Sequence, residues 1–128
     1  MRARLVLDAS AAAAVVFLEP DAQQVLAKLL RASSILVPPL FGYELANVGR
    51  TKVSRGEVSW ARARRLLRAT RTWPVRVVEV RWERAWRVAR ATGLTVFDAV
   101  YLGLARAERA RILTLDAALA EASGRLLA

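Results

Sequence analysis

The chain has 128 residues, 55% of them hydrophobic, and a formal net charge of +10. That length suits one domain, 1–128, with a proper core, and the apolar share argues against a disordered chain. It contains no His and no Cys, which excludes a Ser-His-Asp triad, a Cys nucleophile, a His general base, disulfides and His/Cys zinc sites, and leaves oxygen ligands, hence Mg²⁺ or Mn²⁺, for any metal.

Residues 5–7 predict a buried strand, and the alanines after it a helix to about Phe17. Arg2 and Arg4 ahead of this apolar stretch imitate a secretory signal, but Asp8 inside it argues against one. The uncharged apolar runs are too short to span a bilayer, so a cytoplasmic protein with no membrane association is expected. Glu19-Pro20-Asp21 breaks the helix, and a second covers 21–31 with Val25, Leu26, Leu29 and Leu30 as its apolar stripe. A buried strand at 35–37 ends at Pro38-Pro39, which opens a helix from Leu40 to about Val53. Gly49 inside that helix puts its straightness in question.

An amphipathic helix over 58–71 sets Trp60, Ala63 and Leu67 on one side and Arg62, Arg64, Arg65 and Arg68 on the other. A β-branched strand at 75–80 follows. Next comes a helix at 82–92 with Trp82, Ala85, Trp86 and Ala89 inward and Gly93 as C-cap. The rest reads as a helix over 95–109, a strand over 111–115, a short helix over 116–123 and a closing strand over 124–127. Strands alternating with helices imply an α/β fold, a mostly parallel sheet covered on both faces.

The positive charge is localised. Residues 50–90 hold thirteen Lys or Arg against Glu57, Glu79 and Glu83, which is the whole net excess. A basic stripe is the electrostatic footprint of a polyanion binder. The plainer reading is a solvated surface in a chain whose alanine and arginine content reflects a GC-rich genome. On the first reading, Arg50, Lys52, Arg55, Arg62 and Arg65 are candidates to hold nucleic-acid phosphates.

Four of the eleven acids are each the lone charge in an apolar run: Asp8, Glu44, Asp98 and Asp116. Three have a structural explanation as helix caps. Asp8 and Asp116 each follow a strand, and Asp98 stands three residues after Thr95, as in a capping box. Glu44 is mid-helix, and its neighbours one turn away are Leu40, Phe41, Asn47 and Val48. A carboxylate there needs a partner. In open α/β sheets ligands bind beyond the carboxyl ends of the strands, which is where the other three would gather. A divalent cation would relieve their mutual repulsion. Carboxylate-held hard metals activate water and stabilise charge on a phosphoryl oxygen. With the basic region, this points to hydrolysis of a nucleic-acid phosphodiester.

Four segments carry a family resemblance: Leu5-Val6-Leu7-Asp8-Ala9-Ser10, Pro39 with Glu44-Leu45-Ala46-Asn47-Val48, Phe97-Asp98-Ala99-Val100-Tyr101-Leu102-Gly103-Leu104-Ala105, and Leu113-Thr114-Leu115-Asp116. In this order and spacing they resemble the PIN domain, and within it the VapC toxins of toxin–antitoxin pairs. The resemblance implies a three-layer α/β/α fold and Mg²⁺- or Mn²⁺-dependent ribonuclease activity. It implies that Asp8, Glu44, Asp98 and Asp116 are the acidic quartet, with Ser10, Asn47 and Thr114 supporting them. It also implies a homodimer and inhibition by a cognate antitoxin. The alternatives are a PIN-domain RNA-processing nuclease that is not a toxin, or a catalytically silent RNA-binding module. A haloacid-dehalogenase-like phosphatase would need a second Asp where Ser10 stands, and a receiver would need paired acids after its first strand and an Asp at the end of a middle strand; neither arrangement is present.

Overall fold

In the computed structural model, which describes residues 2–127, four short strands form one parallel sheet. They are β1 (Arg4–Leu7), β2 (Ser34–Val37), β3 (Val75–Val77) and β4 (Arg111–Leu113), in the order β3-β2-β1-β4. Seven α-helices are described: α1 (Ala9–Val16), α2 (Ala22–Arg31), α3 (Leu40–Ser54), α4 (Trp60–Ala69), α5 (Trp82–Thr92), α6 (Val96–Ala107) and α7 (Ala117–Leu126).

The helices pack in two groups. α1 contacts α2 and α3, and α3 contacts α4; α5 packs on α6, which contacts β1, β4 and α7. Right-handed crossovers account for this. The chain steps outward from β1 to β3 with helices on one face, then returns past β1 to β4 with α5 and α6 on the other. The strand order therefore switches direction between β1 and β4, and a crevice opens at their carboxyl ends. Leu7 is level with Leu113, so Asp8 leaves the sheet beside Thr114. Val6, Leu7, Leu36, Val37, Leu102, Leu104 and Leu119 fill the core, joined by Tyr101.

Several expectations change. The closing strand over 124–127 is absent from the described residues; α7 runs on to Leu126. Leu119, Ala122 and Leu126 recur at helical spacing and pack on the core, so tertiary burial extends the helix through Gly124. β3 ends at Val77 rather than Val80, and β4 at Leu113 rather than Leu115. Trp82 and Trp86 are exposed, not inward. The α5–α6 contact is too close for an indole: Ala85 is buried there, and the Arg84 Cγ lies 3.3 Å from where a Gly103 Cβ would stand. Trp60 is exposed as well, leaving Ala63 as the buried residue of α4. In α2 only Val25 is fully buried, and Leu26 and Leu30 face outward. Gly93 is a left-handed C-cap, as its position suggested. Among the described residues no single helix is long and apolar enough to cross a membrane.

Gly49 leaves α3 continuous, and its role is spatial. A Cβ there would stand 3.0 Å from Leu67 Cδ1 and 3.4 Å from the Phe17 ring. Gly49→Leu is expected to lower stability by about 1–3 kcal/mol through overpacking, despite leucine's better helix propensity. Urea unfolding checks this; an unchanged midpoint would mean that the α1–α3–α4 contact has slack.

Candidate active site

Asp8 is the buried charge among the described residues, 6% exposed at the start of α1. It does not cap that helix with its side chain. Its Oδ2 instead accepts from Ser10 Oγ at 2.6 Å and from Thr114 Oγ1 at 2.7 Å. Those hydroxyls are held in turn by backbone donors: Leu115 N–H to Ser10 Oγ at 3.0 Å and Asp116 N–H to Thr114 Oγ1 at 3.0 Å. The loop after β4 thus fixes the carboxylate after β1. None of these bonds uses Oδ1.

The other acids approach from three helices. Asp116 N-caps α7, its Oδ1 accepting from Leu119 N–H at 2.9 Å, so the capping explanation holds for this residue. α6 is capped by Thr95, whose hydroxyl accepts the Asp98 N–H at 3.2 Å, the first bond of the expected capping box, and the Asp98 side chain lines the pocket. Glu44 sits one turn into α3 and its Oε1 is buried with no hydrogen-bond partner. Asp8, Glu44, Asp98 and Asp116 all line one cavity of about 420 Å³ at the carboxyl ends of the strands, together with Ser10 and Asn47. Thr114 stands behind Asp8.

Electrostatics registers the same proximity. Burial is the main force raising the Glu44 carboxyl above its ordinary value, with the Asp8 and Asp98 charges adding to it and the Tyr101 hydroxyl opposing. Asp98 is also raised, by burial first and then by Asp116 and Asp8, with the Thr95 hydroxyl opposing. Tyr101, fully buried on α6, escaped notice in the sequence. Burial and then the neighbouring Glu44 push its hydroxyl upward, although neither Tyr101 Oη nor Glu44 Oε1 completes a hydrogen bond. The available signal was spacing, since Tyr101 lies three residues after Asp98 on the same helical face. Leu40, Tyr43, Val48 and Phe97 also line the cavity.

The basic candidates lie elsewhere. None of Arg50, Lys52, Arg55, Arg62 and Arg65 lines this cavity, and among the described residues no Lys or Arg does. Lys52 already has partners, Glu19 at 2.9 Å and Glu57 at 3.8 Å, and lies over the Phe17 ring. Arg50 lines a separate groove between α3 and α4. At the opposite end of the sheet a further cavity is lined by Arg2, Lys28, Arg31 and Arg111.

The donor set fits a hard cation: carboxylate oxygens, one of them orphaned on Glu44, in a pocket whose acids raise one another's protonation. Among the described residues no three acids stand closely enough to hold a metal ion by themselves. Mg²⁺ keeps several waters and takes one or two carboxylates directly, so a spread set of acids suits it.

The PIN domain family model matches residues 5–125. A comparison with curated proteins finds no match. Among solved structures, PAE2754 from Pyrobaculum aerophilum is similar with a TM-score of 0.76 and 25% identity, over 98% of this chain and 87% of that one. VapC20 (Rv2549c) from Mycobacterium tuberculosis, described as a Sarcin-Ricin loop cleaving toxin, is similar with a TM-score of 0.66 and 14% identity, over 92% of this chain and 94% of that one.

Two outcomes are expected for the metal-free protein. Thr114→Val removes one donor from buried Asp8 and one acceptor from the Asp116 N–H, and should cost about 1–3 kcal/mol in urea unfolding with chelator present. Glu44 and Asp98 bind protons more tightly in the folded state, so their destabilisation is absent below the ordinary values of 4.5 and 3.8 and develops as pH rises through the raised ones. Glu44→Gln should therefore melt at a higher temperature than the parent at neutral pH, with the gain fading below pH 4.5. A gain that is the same at every pH would refute the electrostatic origin.

Proposed function

This chain belongs to the PIN-domain family, and on that premise we propose that it is a metal-dependent endoribonuclease, the toxin of a toxin–antitoxin pair. The observation that carries the reading is the lining of one pocket by Asp8, Glu44, Asp98 and Asp116 at the strand-order switch. A likeness in fold to a toxin described as cleaving the sarcin-ricin loop supports RNA as the substrate. The proposal extends to Mg²⁺ or Mn²⁺ as cofactor, to a homodimer, to a cognate antitoxin that blocks the pocket, and to action in the cytoplasm.

When bound, the divalent ion supplies a Lewis acid for the phosphoryl oxygen and acidity for an attacking water. The chain's own residues do the rest. Asp8, with Oδ1 outside its hydroxyl bonds, would anchor the ion, and Glu44 and Asp98 would help to hold it. Ser10 and Thr114 hold Asp8 by Oδ2, so the carboxylate is oriented before substrate arrives. Asp116, with Oδ1 engaged by α7, orients water at the rim. Asn47 offers a neutral amide to the substrate from the next turn of α3. Lys52 is left out of the phosphate contacts because Glu19 and Glu57 already engage it. Arg50, Arg55, Arg62 and Arg65 are exposed and attract the RNA backbone from outside the pocket.

The test is cleavage of total RNA with Mn²⁺, with cut sites mapped. Activity should vanish with chelator and fall by at least about 10²-fold in Asp8→Asn, the scale expected when a principal charge-stabilising group is removed. Undiminished cleavage by Asp8→Asn would sink the assignment. Salt-sensitive RNA binding without turnover would identify a binding module instead.

A further inference from the structure

Two aromatic rings stand open at the acidic pocket. Tyr43 is 80% exposed and Phe97 is 62% exposed, and both line the cavity that holds the four carboxylates. Neither packs on the hydrophobic core. Each immediately precedes a pocket carboxylate in the chain, Tyr43 before Glu44 on α3 and Phe97 before Asp98 in the first turn of α6. The rings are thus carried on the same rigid helices as two of the acids.

The pocket's charge makes these rings matter. Among the described residues its lining has four carboxylates and no Lys or Arg. Such a surface repels phosphates everywhere except beside a bound cation. The nucleotides on either side of the reacting phosphate must be held by something other than charge. Of the remaining lining groups, the exposed rings offer the most contact area to a base. Base–aromatic stacking is indifferent to the negative backbone and tolerant of sequence.

We propose that Tyr43 and Phe97 stack on unpaired bases flanking the scissile phosphate and hold the strand there. The proposal rests on the ribonuclease reading above. In an A-form duplex the bases are stacked on one another and their faces are closed to side chains, whereas loop and single-strand bases can be splayed onto aromatic rings. The two rings act as binding and specificity residues, and the acids remain unchanged in either variant. Because both side chains are exposed, Tyr43→Ala and Phe97→Ala should keep the fold.

The experiment uses the full chain with Mn²⁺ and a fluorescent RNA oligonucleotide containing one mapped cut site. It is presented single-stranded, annealed to its complement, and with an abasic nucleotide on either side of the cut. The single strand should be cut at least about 10-fold faster than the duplex. Each alanine variant should lose about 5- to 150-fold in kcat/KM on the intact strand. On the RNA that lacks the matching base, the same variant should lose little more, because ring and base act as one unit. Penalties of ring and base that multiply independently would overturn the stacking proposal while leaving the nuclease reading intact. So would equal cleavage of the duplex. Alanine variants that cleave normally but change the sedimenting mass would assign the rings to a protein interface and overturn it too. Absence of any cleavage by the parent protein would remove the ribonuclease reading itself, a result distinct from the others.

Discussion

The candidate site depends on one buried carboxylate held between two strands that are distant in sequence. Asp8 leaves β1, Thr114 leaves β4, and parallel pairing of Leu7 with Leu113 brings them together. A one-residue slip of β4 would move Thr114 to the other face and leave buried Asp8 with one of its two donors lost. Strand register, loop conformation and carboxylate orientation are therefore one constraint. It is enforced by two hydroxyls whose oxygens are already tied to backbone N–H groups. The loop after β4 cannot relax without releasing Asp8.

Charge is divided across the molecule. The acids collect at the carboxyl ends of the strands, where they work against one another and against burial. The cations lie elsewhere: on the outer helices, and around a cavity at the amino ends of the strands. A functional pocket that destabilises its own ionised form is the familiar tension between stability and activity. Here the core pays for it, through fully buried Leu, Val and Ala on β1, β2, α1 and α6.

Much of the architecture was legible because strand and helix periods differ. Short apolar runs marked the four strands, and Glu19-Pro20-Asp21, Pro38-Pro39 and Gly93 marked boundaries. The four acids were visible because each was the lone charge in an apolar run, and Glu44 was the most telling since it had no end to cap. What escaped depended on neighbours far along the chain. Amphipathic spacing could not show that α5 meets α6 through alanine and glycine, leaving Trp82 and Trp86 outside. It could not show that Lys52 folds back on Glu19. Nor could it show that Tyr101 faces Glu44, because a tyrosine in an apolar helix looks like ordinary core.

α3 carries Glu44 into the pocket and packs on both α1 and α4. Glu44 lies five residues before Gly49, an axial separation of about 7.5 Å. A helix is stiff over that length, so it transmits a displacement rather than absorbing it. Gly49 seated against Leu67, and Lys52 bound to Glu19, fix the helix that carries Glu44. One helix thus carries both an acid of the pocket and, on another face, the close contact with Leu67 and Phe17. Part of the placement of a pocket acid therefore falls to Phe17, Leu67 and Glu19, residues that do not line the pocket.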